Sequence, residues 1–307
     1  MATTTVQYSN QGPRITVNAM IKDPLLVRAR MLRMMDQQFI MESLLRNVGT
    51  AESGVIQYEE SSPQFLPDEP MLVAEAGEIP LGMGAEGLWK AAATVKLARG
   101  LMITREQRDR NKFDIVAMNM NRLRNTMIRA WETRLFNMLN THPGVPTVAT
   151  GGDPWTGAAP TIRADIMSAI QVVAEAKSTT TGGANDYLGF NPDTLVISTR
   201  TAYTMLGNAA FVDIYKASPL VTQSPTYTGT LEKEVQGLTI MTSRFMADDV
   251  AYVMERNTIG GYSDERPLTV TPLREDPDRE AWRADVIRRT GMFLDQPQAA
   301  AKILISV

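Results

Sequence analysis

Cysteine is absent from the 307 residues, and histidine occurs once, at His142. The first absence excludes disulfides, thiolate metal sites and cysteine nucleophiles. The second leaves no pair of imidazoles for zinc, and it permits a Ser-His-Asp system only with His142 as the base. His142 lies in "NTHPGVP", read as a loop after a helix, and no G-x-S-x-G segment accompanies it. Long apolar runs are missing too. Nothing approaches the roughly 18 consecutive apolar residues of a membrane span, and the polar start "MATTTVQYSNQGP" lacks the basic-then-apolar order of a signal peptide. A protein that acts where it is made, in a cytoplasm and away from membranes, is expected. The last shortage is local: no Lys or Arg occurs between Arg46 and Lys90, whereas Glu52, Glu59, Glu60, Asp68, Glu69, Glu75, Glu78 and Glu86 are all acidic.

What is present reads as globular. Hydrophobic residues make up 44% and charged residues 21%, without the bias that marks disorder or fibres. The length suits one large domain or two smaller ones. A net charge of -3 gives no whole-protein attraction to nucleic acid.

Residues 1 to 22 show no sustained period and read as an extended arm. Asp23 and Pro24 then supply an N-cap and a first helical residue for "LLVRARMLRMMDQQFIMESLLRN". Its methionines Met31, Met34, Met35 and Met41 read as flexible core filler. From residue 48 to 87, Pro63, Pro67, Pro70, Pro80 and several glycines exclude helix over most of the stretch. The flanks "GVIQYEE" and "LWKAAATVKLARGLMI" look like strands bounding a long two-stranded excursion. Thr104 with Gln107 forms a capping box, opening a helix predicted over 104–139. Its apolar stripe is Phe113, Val116, Met120, Leu123, Met127, Trp131, Leu135 and Met138. It carries Arg105, Arg108, Arg110, Lys112, Arg122, Arg124, Arg129 and Arg134 against Glu106, Asp109, Asp114 and Glu132. Like charges on one face repel, so something acidic should cover this helix, and the excursion is the complement. After a Gly- and Pro-rich link come a helix over 161–177, a strand "DTLVIS", a short helix "TRTAYTMLGN", and then mostly strands. The fold class is α+β.

No motif selects a chemistry. "TGGDPW" and "TTTGGAND" match neither the Walker pattern nor the dinucleotide fingerprint and read as turns. "REDPDRE" lacks the alternating ligands of a calcium loop and reads as a solvated turn between two strands. Carboxylates are plentiful, but nothing pairs two of them for hydrolysis. No catalytic residue, cofactor site or metal site is assigned.

An N-terminal arm, an acidic excursion containing "VAEAGEIP", the return "ATVKLARGLMITREQ" into a long helix, and late "NPDTLVIS" and "VQGLTIMTSRF" resemble, in this order, one family. It is the major capsid protein of tailed bacteriophages, the Hong Kong 97 fold shared with encapsulins. The resemblance implies an N-arm at 1–24 and an extended β-hairpin loop at 53–89. It implies a peripheral domain from 25–52, 90–144 and 256–307, built on the spine helix 104–139, and an axial domain at 145–255. It implies self-assembly into pentamers and hexamers of an icosahedral shell enclosing double-stranded DNA without sequence-specific binding. A separate scaffolding protein, a portal and a decoration protein are the further partners it suggests, in a virion assembled in the bacterial cytoplasm. In this family the extended loop lies across a neighbouring subunit. The corresponding expectation is that Glu59, Glu60, Asp68, Glu69 and Glu75 meet some of Arg105, Arg108, Arg110, Arg122, Arg124 and Arg129 between chains. The lysine-to-asparagine cross-link of some relatives is not expected, because the loop between Arg46 and Lys90 has no lysine. Because the chain starts at Met1 close to the arm, a fused scaffolding segment is not expected either. An encapsulin-type cellular compartment and a soluble carboxylate-dependent enzyme remain as alternatives.

Overall fold

Thr104 begins a helix in the way its spacing to Gln107 predicts. Its hydroxyl accepts from the Gln107 N–H at 3.4 Å, and the Gln107 side chain accepts from the Thr104 N–H at 3.3 Å. The free amides of this first turn and the Thr104 hydroxyl hold the Glu106 carboxyl below its usual range. The expected single helix is nevertheless two. A short piece, Arg105–Asp109, is followed by a long one, Phe113–Thr141. From Thr104 to Lys112 the sequence has nine polar residues and no apolar one. That stretch therefore has no face to pack, and helices in proteins are held mainly by packing. The long helix spans 29 residues, roughly 44 Å. Val116, Met120, Leu123, Met127, Trp131 and Leu135 are all buried along its predicted stripe.

The computed structural model describes Val17, Lys22 and residues 24–305 apart from 36–37, 62–65, 67–69, 83, 85, 111, 158–159, 178–185 and 209–233. Nearly all of the expected arm, the N-cap Asp23, and the loop acids Asp68 and Glu69 lie outside the described residues. By contact the chain forms two compact units. One comprises Met1–Phe39, Val95–Ala130 and Arg266–Arg289; the other comprises Ile40–Thr94, Trp131–Glu265 and Thr290–Val307.

Thirteen strands follow one another along the described chain: β1 (Arg46–Asn47), β2 (Val55–Glu60), β3 (Leu88–Ala93), β4 (Val95–Thr104), β5 (Thr147–Ala149), β6 (Thr194–Ser198), β7 (Glu234–Val235), β8 (Leu238–Ser243), β9 (Val250–Met254), β10 (Gly261–Val270), β11 (Arg274–Asp276), β12 (Ala281–Phe293) and β13 (Ala300–Leu304). β2 and β3 pair antiparallel as a separate two-stranded sheet, register Val55 to Ala93 through Glu60 to Leu88. A second sheet runs β1-β10-β12-β11, with β4 also on β12. The acidic "REDPDRE" is, as predicted, a turn between strands: β11, one turn of 3-10 helix, and Glu280 in the left-handed region at φ 45°.

In the unit that contains the rest of the strands, six form one sheet in the order β5-β13-β9-β6-β8-β7. β6 and β9 are buried along their whole length, and the helix Ile162–Ala174 packs on β9 and β13. The C-terminal strand β13 is hydrogen-bonded between β5 and β9. Ala300, Ala301 and Ile303 are fully buried there, so this small-residue strand fits between two larger neighbours where a bulkier one would not.

The glycine-rich link before that helix is fastened by one carboxylate. Asp165 is 2% exposed and accepts from the Trp155 indole N–H at 2.9 Å, the Gly151 N–H at 2.9 Å and the Thr161 hydroxyl at 3.1 Å. Removing a partner from a buried donor costs about 1–3 kcal/mol. Asp165→Ala is therefore expected to lower the unfolding free energy of the unassembled subunit by about that much, read by urea titration. Thr161→Ala, whose hydroxyl is one of three donors, should cost less.

Candidate functional site

The basic-free stretch folds as a rooted excursion, and its root is specific. Ile56 on β2 packs with Ala51 and Phe293, and the Tyr58 ring stacks on Phe293 at 4.6 Å. Gly291 makes room for this, because a Cβ there would stand 2.5 Å from Ile56 Cδ1. Ser61 N–H donates to the Asp295 carbonyl at 2.7 Å, and the Thr94 hydroxyl donates to Glu265 at 2.6 Å. Arg46 forms an ion pair with Asp295.

Glu60 closes the root. It is buried, pairs with Lys90 across the β2–β3 ladder, and lies 3.2 Å from His142 Nε2. His142 Nδ1 accepts from the Gly144 N–H at 3.2 Å, which leaves Nε2 to carry the proton toward Glu60. Burial pushes the His142 pKa down; Glu60 opposes this and Lys90 adds to it. The lone histidine is thus a neutral member of the root, in keeping with the loop reading. Glu59 is also occupied, accepting from the Gly87 N–H. Of the acids expected to reach another copy, Glu60 is committed within its own unit and Glu59 is half-committed, because strand pairing brings Lys90 and Gly87 to them. Glu75, Glu78 and Glu86 are exposed, and Glu86 accepts from the Trp89 indole N–H at 3.3 Å.

Beyond the root the excursion changes character. Residues 71–80 form neither helix nor ladder. A turn at Ala74–Gly77, with Ala76 at φ 64° and a Gly77 N–H to Ala74 carbonyl bond of 2.9 Å, reverses the chain. On either side stand Met71, Leu72, Val73, Ile79 and Leu81, all exposed; Leu81 is 96% exposed and Leu72 wholly so. Burying one such side chain contributes about 1.5–3 kcal/mol, whereas an exposed ion pair contributes about 0–1 kcal/mol. The apolar tip therefore outweighs the acids as a source of contact energy. The sequence reading named only the acids. The signal for the rest was present: five large apolar residues within eleven positions around Pro70 and Pro80, in a segment with no periodicity to bury them.

The expected partner arginines lie in the other unit. Arg105 pairs with Glu280 at 3.5 Å. Arg108 pairs with Asp109 at 2.9 Å and stands over the Trp282 ring at 5.0 Å. Among the described residues Arg122 and Arg124 donate only to the side-chain oxygens of Asn119 and Asn125. Arg110 and Arg129 are exposed with no ion pair among the described residues. Between Ile115 and Thr141 the long helix has one acid, Glu132, and it is buried, receiving the Ser243 hydroxyl. Its exposed face from Ile115 onward is thus arginine, asparagine and threonine, with Met118 among them.

A cavity of about 520 Å³ is lined by Trp155, Arg200, Thr201, Thr204, Asp248 and Asp249. Asp248 there accepts from the Ser198 hydroxyl and Arg200, and Ser198 caps the helix Thr199–Gly207 by accepting from the Thr201 N–H at 3.1 Å. Among the described residues no cluster of three or more His, Asp or Glu is arranged to hold a metal, and no helix is long and apolar enough to cross a membrane.

A protruding rooted hairpin, a long basic helix and a six-stranded sheet define a shell-forming structural protein of the Hong Kong 97 type. The chain belongs to the phage capsid protein family, whose profile matches residues 89–303, and its role is that of a major capsid protein. The fold is similar to a capsid structure of cyanophage P-SCSP1u, with 12% identity, 87% of this chain and 88% of that one covered, and a TM-score of 0.61. It is also similar to a structure from Microbacterium phage Oxtober96, with 13% identity, 99% and 96% covered, and a TM-score of 0.58. The SrpI encapsulin of Synechococcus elongatus PCC 7942 is similar too, with 12% identity, 98% and 92% covered, and a TM-score of 0.54, so the encapsulin reading fits no better. No curated protein matches the chain by sequence.

The neutral His142 gives the root a pH signature. A folded pKa below the usual His value means that the unfolded chain binds the extra proton first. The stabilisation is complete above about pH 6.5 and is lost as pH falls through the lower folded value. Acidification from pH 7 to pH 5 is expected to lower the Tm of the subunit, and His142→Gln should flatten that part of the profile.

Proposed function

We propose that this chain is the major capsid protein of a tailed bacteriophage, assembling into pentamers and hexamers of an icosahedral shell that encloses double-stranded DNA. The excursion of one copy rests on a neighbour's basic helix. Met71, Leu72, Val73, Ile79 and Leu81 supply the contact energy, and Glu75, with Glu78 and Glu86, gives it direction toward Arg110, Arg122, Arg124 and Arg129. The observation that carries this reading is the exposed apolar tip on a well-fixed root, since surface of this kind marks an interaction site. Residues 1–24 act as the arm, 53–89 as the extended loop and 145–255, joined by β13, as the axial domain. The other residues form the peripheral domain. The sheet β5-β13-β9-β6-β8-β7 supports that inclusion of the last strand. The excursion has no lysine to offer a neighbouring asparagine, so the shell is held by noncovalent contacts. A separate scaffolding protein, a portal and a decoration protein complete the virion, and assembly takes place in the host cytoplasm. The shell does no catalysis and reads no DNA sequence.

Negative-stain microscopy of the chain expressed in bacteria, alone and with a co-expressed scaffolding candidate, is expected to show capsomers or shells. A particle that stays monomeric at every concentration in both settings contradicts the reading. The double variant Leu72→Ser/Leu81→Ser is expected to raise the concentration needed for assembly at least about tenfold, given 1.4 kcal/mol per factor of ten, while leaving the Tm of the free subunit unchanged.

A further inference from the structure

Asp285 on β12 is 8% exposed and holds two arginines at once. Its Oδ1 accepts from Arg283 Nε at 2.6 Å, and its Oδ2 accepts from Arg274 Nη2 at 2.9 Å. Arg274 on β11 and Arg283 on β12 are register partners. Two like charges thus stand directly across the ladder, an arrangement that by itself destabilises a sheet. One arginine is enough to balance one buried carboxylate. Two guanidiniums against one carboxylate leave +1, a surplus that the fold does not require. Both side chains reach solvent, Arg274 being 62% exposed and Arg283 47%. Asp285 takes only one nitrogen from each, so both keep terminal N–H groups that can donate elsewhere.

The place is held open as well as charged. Gly100 lies on β4, which pairs with β12, and a Cβ there would stand 2.7 Å from Asp285 Oδ1 and 3.3 Å from Arg283 Nε. Strand alternation puts Ala98 on the same side, so the lane beside the two arginines is backbone and one methyl group. Asp276, one pair farther along the ladder and half-buried, bounds the other end and repels a second negative charge. We propose that Arg274 and Arg283, held in place by Asp285, form a binding site for one phosphate group. A guanidinium presents paired N–H donors to phosphate oxygens, and arginines already fixed by a carboxylate lose less side-chain freedom on binding. The surplus of one charge matches a phosphodiester. Free inorganic phosphate and the backbone of duplex DNA offer the same chemistry; the DNA source rests on the shell reading above, whereas the site itself does not.

The test uses the full-length unassembled subunit and two probes: inorganic phosphate, followed by line broadening in phosphorus NMR, and a short fluorescein-labelled DNA duplex, followed by anisotropy. Arg274→Gln/Arg283→Gln is expected to abolish the broadening and to weaken duplex binding about tenfold or more. It should also lower the slope of log affinity against log salt by about one, because one phosphate contact is lost. Arg99→Gln removes an exposed arginine that alternation puts on the opposite face, and it is expected to leave the broadening intact. Gly100→Ala removes no charge, yet its Cβ drives the carboxylate off the arginines; it is expected to weaken both probes at least about threefold. Thermal melting by circular dichroism checks each fold. Should Gly100→Ala fail to fold, Asp285→Asn gives the same comparison: it makes the subunit more positive, and weaker phosphate binding in spite of that is the expected result.

Broadening and duplex affinity that are both unchanged in the double arginine variant would overturn the proposal. So would folded Gly100→Ala with wild-type affinities, or Asp285→Asn that binds phosphate more tightly than the wild type, since the arginines would then act as loose charge. Poly-glutamate that displaces the duplex as well as phosphate does would overturn it too, because the partner would then be an acidic protein. Broadening lost with duplex affinity unchanged supports the site and assigns it free phosphate; loss of both assigns it the DNA backbone. Wild-type subunits that bind phosphate yet never form shells count against the shell reading and leave the site standing.

Discussion

Among the described residues nothing covers an extended segment that carries five large apolar side chains into solvent, with acids near it and no free base. This constraint organises the molecule. The segment survives in the free subunit only because its root is fixed. Ile56, Tyr58 and Phe293 pack at its base, and the one lysine of the hairpin is spent on Glu60. In the proposed assembly, rigidity there lets the tip meet a neighbour already ordered, so less conformational entropy is lost on contact.

The division of labour between root and tip follows from the magnitudes. Buried at the root, Glu60 needs Lys90 and His142 beside it, because a carboxylate without partners in such a place costs several kcal/mol. Glu75, Glu78 and Glu86 stand in water, where a charge costs nothing to keep and acts at a distance set by salt. The same residue type is thus a structural lock in one place and an exposed charge elsewhere in the same loop. The arginines divide likewise. Arg105 and Arg108 are engaged near the start of the helical region, while Arg122 and Arg124 reach nothing stronger than an asparagine oxygen.

A shell subunit has to be stable alone and still hold surfaces that gain from company. Here the two demands are met by different parts of the chain. The six-stranded sheet, with β6 and β9 buried throughout and Asp165 binding the glycine-rich link, supports the subunit by itself. The apolar tip, by contrast, is left in solvent, with nothing among the described residues covering Leu72 or Leu81.

The sequence by itself determined the periodic elements. The stripe from Val116 to Leu135, the capping box at Thr104 and the strands Thr194–Ser198 and Val250–Met254 were legible because short-range spacing decides them. It also determined that the region from Arg46 to Lys90 is an acidic two-stranded excursion, since proline, glycine and the absence of bases are local facts. Only the tertiary structure decided which acids are free. Glu60 and Glu75 are the same residue in the same loop, and their difference arises from Lys90 and His142, which lie 30 and 82 positions from Glu60 along the chain and come to it by strand pairing and packing. The place of β13 between β5 and β9 and the hold of Gly87 on Glu59 were likewise out of reach of local pattern. Each depends on which distant segments share a contact surface, and the spacing of neighbouring residues carries no record of that.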